Sequence, residues 1–179
     1  TKSVFSWSTY KWYKAEGGSR GLTKYCPDSD LGFDGFQDGK WLLEPEDDAA
    51  HVKLGEDWRM PTAGEWDELA RLCTLEWVSL GGVDCAKLTG PNGNSIILPP
   101  SGGAGEDAED TAGQLGVFWS STGVNVDDEG GAWIFGFYKG MDEEDYEEYP
   151  GRCLLTEPDV ERSMGMPIRP VSGPAPVFA

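Results

Sequence analysis

The sequence predicts an α+β domain, with two helices in the first half and antiparallel strands joined by long, ordered loops in the second. Three observations carry this. Trp66, Leu69, Ala70 and Cys73 recur at i, i+3, i+4 and i+7, one apolar stripe at helical spacing. Asn92-Gly93 stands between two strand-like runs, a hairpin signal. The chain has 25 glycines but also 8 tryptophans, a composition of short elements and anchored loops, neither a helical bundle nor a disordered chain.

Taken in order, the first 43 residues are aromatic and turn-rich, with Phe5, Trp7 and Trp12 as strand or ordered-loop anchors and residues 32–40 as a loop. Residues 45–54 read as a short helix. Pro45 and the acids Glu46, Asp47 and Asp48 suit a first turn, where the helix dipole favours negative charge, and Gly55 ends it. The second helix, residues 62–73, opens with Thr62 and Glu65 in a capping box, each side chain satisfying an orphan backbone N–H. Its stripe makes Cys73 a core residue. Strands follow at 76–80, 86–89 and 95–98, with Gly81-Gly82 turning the chain between the first two. Residues 101–116 read as loop. Residues 117–122 and 132–138 read as strands joined by a turn over 125–131, and residues 142–149 form a strongly acidic stretch. A last strand at 167–171 carries Pro167 and Pro170, which cannot donate to a ladder, so it belongs at an edge or in irregular pairing. One domain over residues 1–172 and a Pro/Gly-rich tail over 173–179 complete the plan.

The net charge of −18 excludes the usual nucleic-acid binder, whose affinity rests on Lys and Arg displacing counterions, and it disfavours anionic membrane surfaces. No apolar run approaches the ~20 residues needed to span a bilayer, so membrane insertion is not expected. Cys26, Cys73, Cys85 and Cys153 allow two disulfides in three connectivities, or buried free thiols. With no C-x-x-C and one histidine, His51, a structural zinc site is not expected. The same scarcity leaves little for nucleophilic or acid–base catalysis.

Several motifs resemble the Fibrobacter succinogenes major paralogous domain family. They are Pro45-Glu46-Asp47-Asp48-Ala49-Ala50-His51-Val52, Trp58-Arg59-Met60-Pro61-Thr62 with Glu65-Trp66, Thr89-Gly90-Pro91-Asn92-Gly93-Asn94-Ser95-Ile96, Phe118-Trp119-Ser120-Ser121 and Gly165-Met166-Pro167-Ile168-Arg169-Pro170-Val171. Upstream, Trp7-Ser8-Thr9-Tyr10-Lys11-Trp12 and Leu22-Thr23-Lys24-Tyr25-Cys26 are also similar. The resemblance implies a C-type-lectin-like fold and a secreted or surface-displayed protein of Bacteroidetes-type bacteria. It also implies a non-enzymatic, adhesin- or receptor-type role in binding a protein or glycan.

Some related domains are variable proteins of diversity-generating retroelements, which gives a narrower alternative. Residues 139–163 contain Lys139, Met141, Glu143, Glu144, Glu147 and Glu148, which adenine mutagenesis produces poorly. The Arg-Met-Pro-Thr block with Glu65-Trp66 also resembles formylglycine-generating enzymes, an oxidoreductase alternative. Those enzymes use a cysteine pair near the C-terminus, whereas Cys153 is the only cysteine after Cys85. The family's usual first strand, which pairs with the last, is missing ahead of Trp7, leaving the edge near Ile168 open or otherwise covered.

The expected recognition face is the loop set within residues 122–165. Its candidate ligand-binding residues are Asp127, Asp128 and Glu129, then Tyr138, then Asp142, Glu144, Asp145, Tyr146 and Tyr149 of the acidic run, and Arg162. Tyrosines there supply amphipathic contact area and the acids steer cationic partners. Glu157-Pro158-Asp159 resembles the calcium-holding loop of sugar-binding C-type lectins, making Glu157 and Asp159 candidate calcium ligands and calcium the one cofactor to consider. The companion Trp-Asn-Asp of those lectins is missing. Asp28, Asp30, Asp34 and Asp38 form a second cluster that breaks the EF-hand pattern at Gly32 and Gly39, and they read better as turn and cap residues.

Overall fold

A computed structural model describes residues 5–104, 112–113, 115–126, 129–138 and 154–174, with backbone alone for 125–126, 129 and 154–159. It is mixed α+β, with two α-helices and small antiparallel sheets among the described residues.

The aromatic N-terminal region is anchored loop with a short hairpin, β1 (Tyr13–Glu16) and β2 (Ser19–Leu22), turned by Gly17-Gly18. Leu22, Cys26 and Leu31 form a small core there, against which Trp7 and Tyr10 pack. The aspartates after it act as caps. Asp28 accepts from the Asp30 N–H, and Asp38 accepts from the Tyr25, Cys26 and Lys40 N–H groups.

Helix α1 (Ala49–Leu54) begins four residues later than its proline suggests. Asp48, not Pro45, sets the start. Its buried carboxylate accepts from Ala50 and His51 at the cap and also from the Met60 N–H at 2.8 Å. Pro45 sits in the preceding turn, closed by the Asp48 N–H on Glu44 O.

Strand β3 (Trp58–Arg59) leads into α2 (Ala63–Leu72), which forms as its capping box requires, with Thr62 and Glu65 bonding reciprocally. Arg59 reinforces that start by gripping both Glu65 oxygens at 2.6 Å.

Strands β4 (Thr74–Leu80), β5 (Val83–Thr89) and β6 (Ser95–Leu98) make an antiparallel meander. Strands β7 (Leu115–Val126), β8 (Glu129–Tyr138) and β9 (Leu154–Glu161) make a second. The main core joins both to α2. Trp66 stacks on Phe135 with centroids 4.5 Å apart, and Leu88, Leu98, Phe118 and Phe137 close around it.

Several sequence expectations change. The turn over 125–131 is mostly strand, since Val126 already pairs with Glu129. Residues 154–161, expected in a recognition loop, form β9, with Pro158 where the register against β8 shifts. A proline is tolerated at a bulge because its missing N–H falls outside the ladder. The last strand shrinks to β10 (Val171–Ser172), paired with β3 and not with the sheet that carries α2. Pro167 contributes irregularly, its carbonyl accepting from the Trp119 N–H. Cys26, Cys73 and Cys85 are free thiols, and Cys153 lies outside the described residues. Burial pushes the Cys26 and Cys73 thiols up, away from the thiolate.

Candidate functional site

Strand β7 is irregular between Trp119 and Gly123, where the ladder with β8 lapses. The backbone there pairs elsewhere. Leu43 N–H donates to Ser121 O, Ser121 N–H to Pro61 O, and Gly123 N–H to Trp41 O. The Ser120 hydroxyl accepts from Thr122 N–H and donates to Thr122 O, while Ser121 Oγ donates to Pro61 O. A β-bulge of this kind re-aims a strand, and here it opens a cavity of about 540 Å³ between β7 and the N-terminal third.

Aromatic rings wall this cavity: Tyr10, Trp12, Tyr25, Trp41 and Trp119. Val52, Met60, Met166 and Ile168 add apolar surface, and Trp41 is 45% exposed at the mouth. The polar groups converge from two directions.

On one side Lys24 lies beneath three carboxylates. Its Nζ is 2.6 Å from Asp47 Oδ2, 2.5 Å from Glu44 Oε2 and 3.5 Å from Glu46 Oε1, and it sits over the rings of Trp12 and Tyr25. Glu44, Glu46 and Asp47 are spaced to hold a metal ion, but the ammonium already fills the position a cation would take. The couplings show in proton affinities. Burial alone would raise the Asp47 carboxyl, but Lys11, Lys24 and the Tyr25 hydroxyl outweigh it and hold the group at about 2. Lys24 and then Lys40 hold Glu44 at about 2. Hydrogen bonds from Asp47 and Glu44 raise Lys24 well above an ordinary lysine. Burial, then the bond to Asp47, pushes Tyr25 up to about 12.

On the other side is Arg162. Its Nε donates to Gly131 O at 2.6 Å, Nη1 to Tyr25 O at 2.6 Å and Nη2 to Val124 O at 3.3 Å, and the Tyr10 hydroxyl is a further partner. Burial depresses the Arg162 pKa and raises that of Tyr10. A Cβ at Gly123 would press on Nη2, so a side chain there would displace the guanidinium.

Of the candidate residues named from sequence, Arg162 alone lines this cavity among the described side chains. Tyr138 stands at the opposite end of β8, six residues beyond Ala132, about 20 Å along a strand. Glu129, Glu157 and Asp159 lie within strands as backbone only. Asp127, Asp128, Asp142, Glu144, Asp145, Tyr146 and Tyr149 lie outside the described residues. Tyr10, Trp41 and Asp47 were not singled out as site residues. For Tyr10 and Trp41 the signal is the density of aromatics before residue 42, which reads first as anchoring, and Asp47 reads as a first-turn acid. No protein-family model, curated protein or solved structure matches the chain. Among the described residues, no helix is long and apolar enough to cross a membrane.

Proposed function

We propose that this chain is a non-enzymatic binding domain that takes a small ligand, or one residue of a glycan or protein, into the aromatic-walled cavity beside the β7 bulge. The cavity itself carries this reading. Its volume falls within the roughly 300–1,000 Å³ of small-molecule sites, and it combines apolar walls with a few convergent polar groups. Its titratable groups support binding over chemistry. Asp47 is committed to Lys11, Lys24 and Tyr25, and both serine hydroxyls donate to carbonyls, not to a base. The α2 capping box and the docked Trp66 support a C-type-lectin-like fold of the Fibrobacter succinogenes major paralogous domain kind, which brings with it a secreted or surface location. The resemblance supplies the calcium reading of Glu157 and Asp159, which remains part of this proposal for glycan ligands.

A glycan and protein array on the wild type, on Trp41→Ala and on a deletion of residues 142–149 tests the reading. Trp41 is half-exposed, so its loss spares the core. Binding that falls at least about tenfold in Trp41→Ala supports the cavity, an effect of the size expected for losing one aromatic contact. Binding that survives Trp41→Ala and is lost in the deletion moves recognition to the acidic segment and rejects it.

A further inference from the structure

We propose that the ligand of this cavity carries a carboxylate, received by Arg162 and Tyr10. The inference rests on the cavity being the ligand site, and it names the ligand's chemistry. The chain has 32 acidic residues against 14 basic ones, so a basic group without an acidic partner stands out. Around the cavity Lys11 is paired with Asp47, Lys24 with Asp47 and Glu44, and Lys40 with Glu44. Arg162 and Lys53 also line it, and among the described residues neither has a carboxylate within 4.0 Å.

The acids facing the cavity are already balanced. Asp47 has both oxygens engaged by ammonium or phenol, and Glu46 lies 3.5 Å from Lys24. Among the described residues, the Arg162 guanidinium hydrogen-bonds to neutral acceptors, three carbonyls and a phenol, and Asp38 acts on it only at longer range, beyond ion-pair distance. A guanidinium has five N–H groups, so three carbonyl bonds leave it further donors, and the Tyr10 hydroxyl can accept one while keeping its own proton to donate. A donor from each residue fits a carboxylate's two oxygens. Between aromatic walls such a charge-assisted pair is stronger than at an open surface. The walls then take the ring or chain that bears the acid group, such as an acidic sugar or an aromatic acid.

Two matched series separate those sources: D-glucuronate against D-glucose, and indole-3-acetate against indole-3-acetamide and tryptamine. Binding is read from the indole N–H signals of Trp12, Trp41 and Trp119 in ¹H–¹⁵N spectra. The acid in one or both series binds at least about tenfold more tightly than its neutral congener, the ratio a charge-assisted hydrogen bond supplies. Arg162→Gln removes that preference. Because Arg162 also ties three carbonyls, Tyr10→Phe serves as the variant that keeps the packing. It loses affinity for the acid several-fold and for the amide by less, since a neutral carbonyl accepts the weaker bond. Lys53→Ala, at the exposed rim, weakens the acid about twofold, as a screened surface charge does. Equal or stronger shifts with glucose, the amide or tryptamine overturn the carboxylate assignment and leave the cavity as a ligand site. If no probe moves those signals, the assignment also falls, and the Trp41→Ala array result alone decides whether the cavity binds.

Discussion

Asp48 shows how much one side chain can organise. Its carboxylate caps α1 and, through Oδ2, fixes the Met60 N–H just before α2. Asp48→Ala removes a cap worth about 1 kcal/mol and strands a buried donor at about 1–3 kcal/mol, so a loss of about 2–4 kcal/mol is expected in urea unfolding. A loss under about 0.5 kcal/mol, the usual size for an ordinary surface position, contradicts this role. Asp47, next to it, governs acid stability. Asp47, Glu44 and Glu65 all have folded pKa values below their unfolded ones. In the acid range the unfolded chain therefore binds more protons, and stability falls as pH falls. The loss begins near the ordinary carboxyl value of about 4 and runs down to about 2, where Asp47 and Glu44 protonate in the folded state. Asp47→Asn flattens that limb when urea midpoints are followed from about pH 5 to pH 2. An unchanged slope places the acid sensitivity elsewhere. The residue-level signals in the sequence were uneven. Arg162 was named as a candidate and lines the cavity, whereas Asp47 and Asp48 looked like mere first-turn acids, because their partners Lys24, Tyr25 and Met60 are distant in sequence or beyond the helix.

At the scale of elements, α2 was legible in full. Its cap, its stripe and its stop are all local, within Thr62, Glu65, Trp66 and Cys73. Trp66→Ala empties the space between Phe118 and Phe135 and costs about 3–5 kcal/mol by thermal or urea unfolding. Trp66→Phe, which keeps a ring but loses the indole N–H on Trp119 O, falls between that and wild type. Gly116 is as constrained, because the ring of Phe137, its cross-strand partner, lies where a Cβ would go. Gly116→Ala costs about 1–3 kcal/mol, the range for overpacking, and a neutral result contradicts that contact. Strand β9 was not legible. Leu154-Leu155-Thr156-Glu157-Pro158-Asp159-Val160-Glu161 lacks clean alternation and contains a proline, so its own propensity argues for a loop. Pairing supplied by β8 decides it, and the bulge accommodates the proline. The β7 bulge was equally hidden, since Phe118-Trp119-Ser120-Ser121-Thr122 reads as an unbroken strand.

For the molecule as a whole, the α+β plan followed from local patterns, while the cavity did not. Its walls come from Tyr10, Trp41, Trp119 and Arg162, and no window along the chain contains them together. The −18 charge acts at this scale too. Self-repulsion opposes compactness, so raising ionic strength from about 0.01 M to 0.15 M, which shortens the screening length from about 30 Å to 8 Å, raises the melting temperature. A fall instead makes local ion pairs such as Lys24–Asp47 the dominant electrostatic term. The long reach of the Arg162 staple has a further consequence during synthesis. Its bond to Tyr25 spans 137 positions, and Arg59 reaches 114 positions to the Gly173 carbonyl. A nascent chain emerging from the ribosome can complete the hairpins and α2 early, but it cannot lock its N-terminal third until Arg162 has followed. Stalled translation products ending before Arg162 thus leave that third without its clasp and exposed to proteases, a vulnerability that closes only when Arg162 arrives.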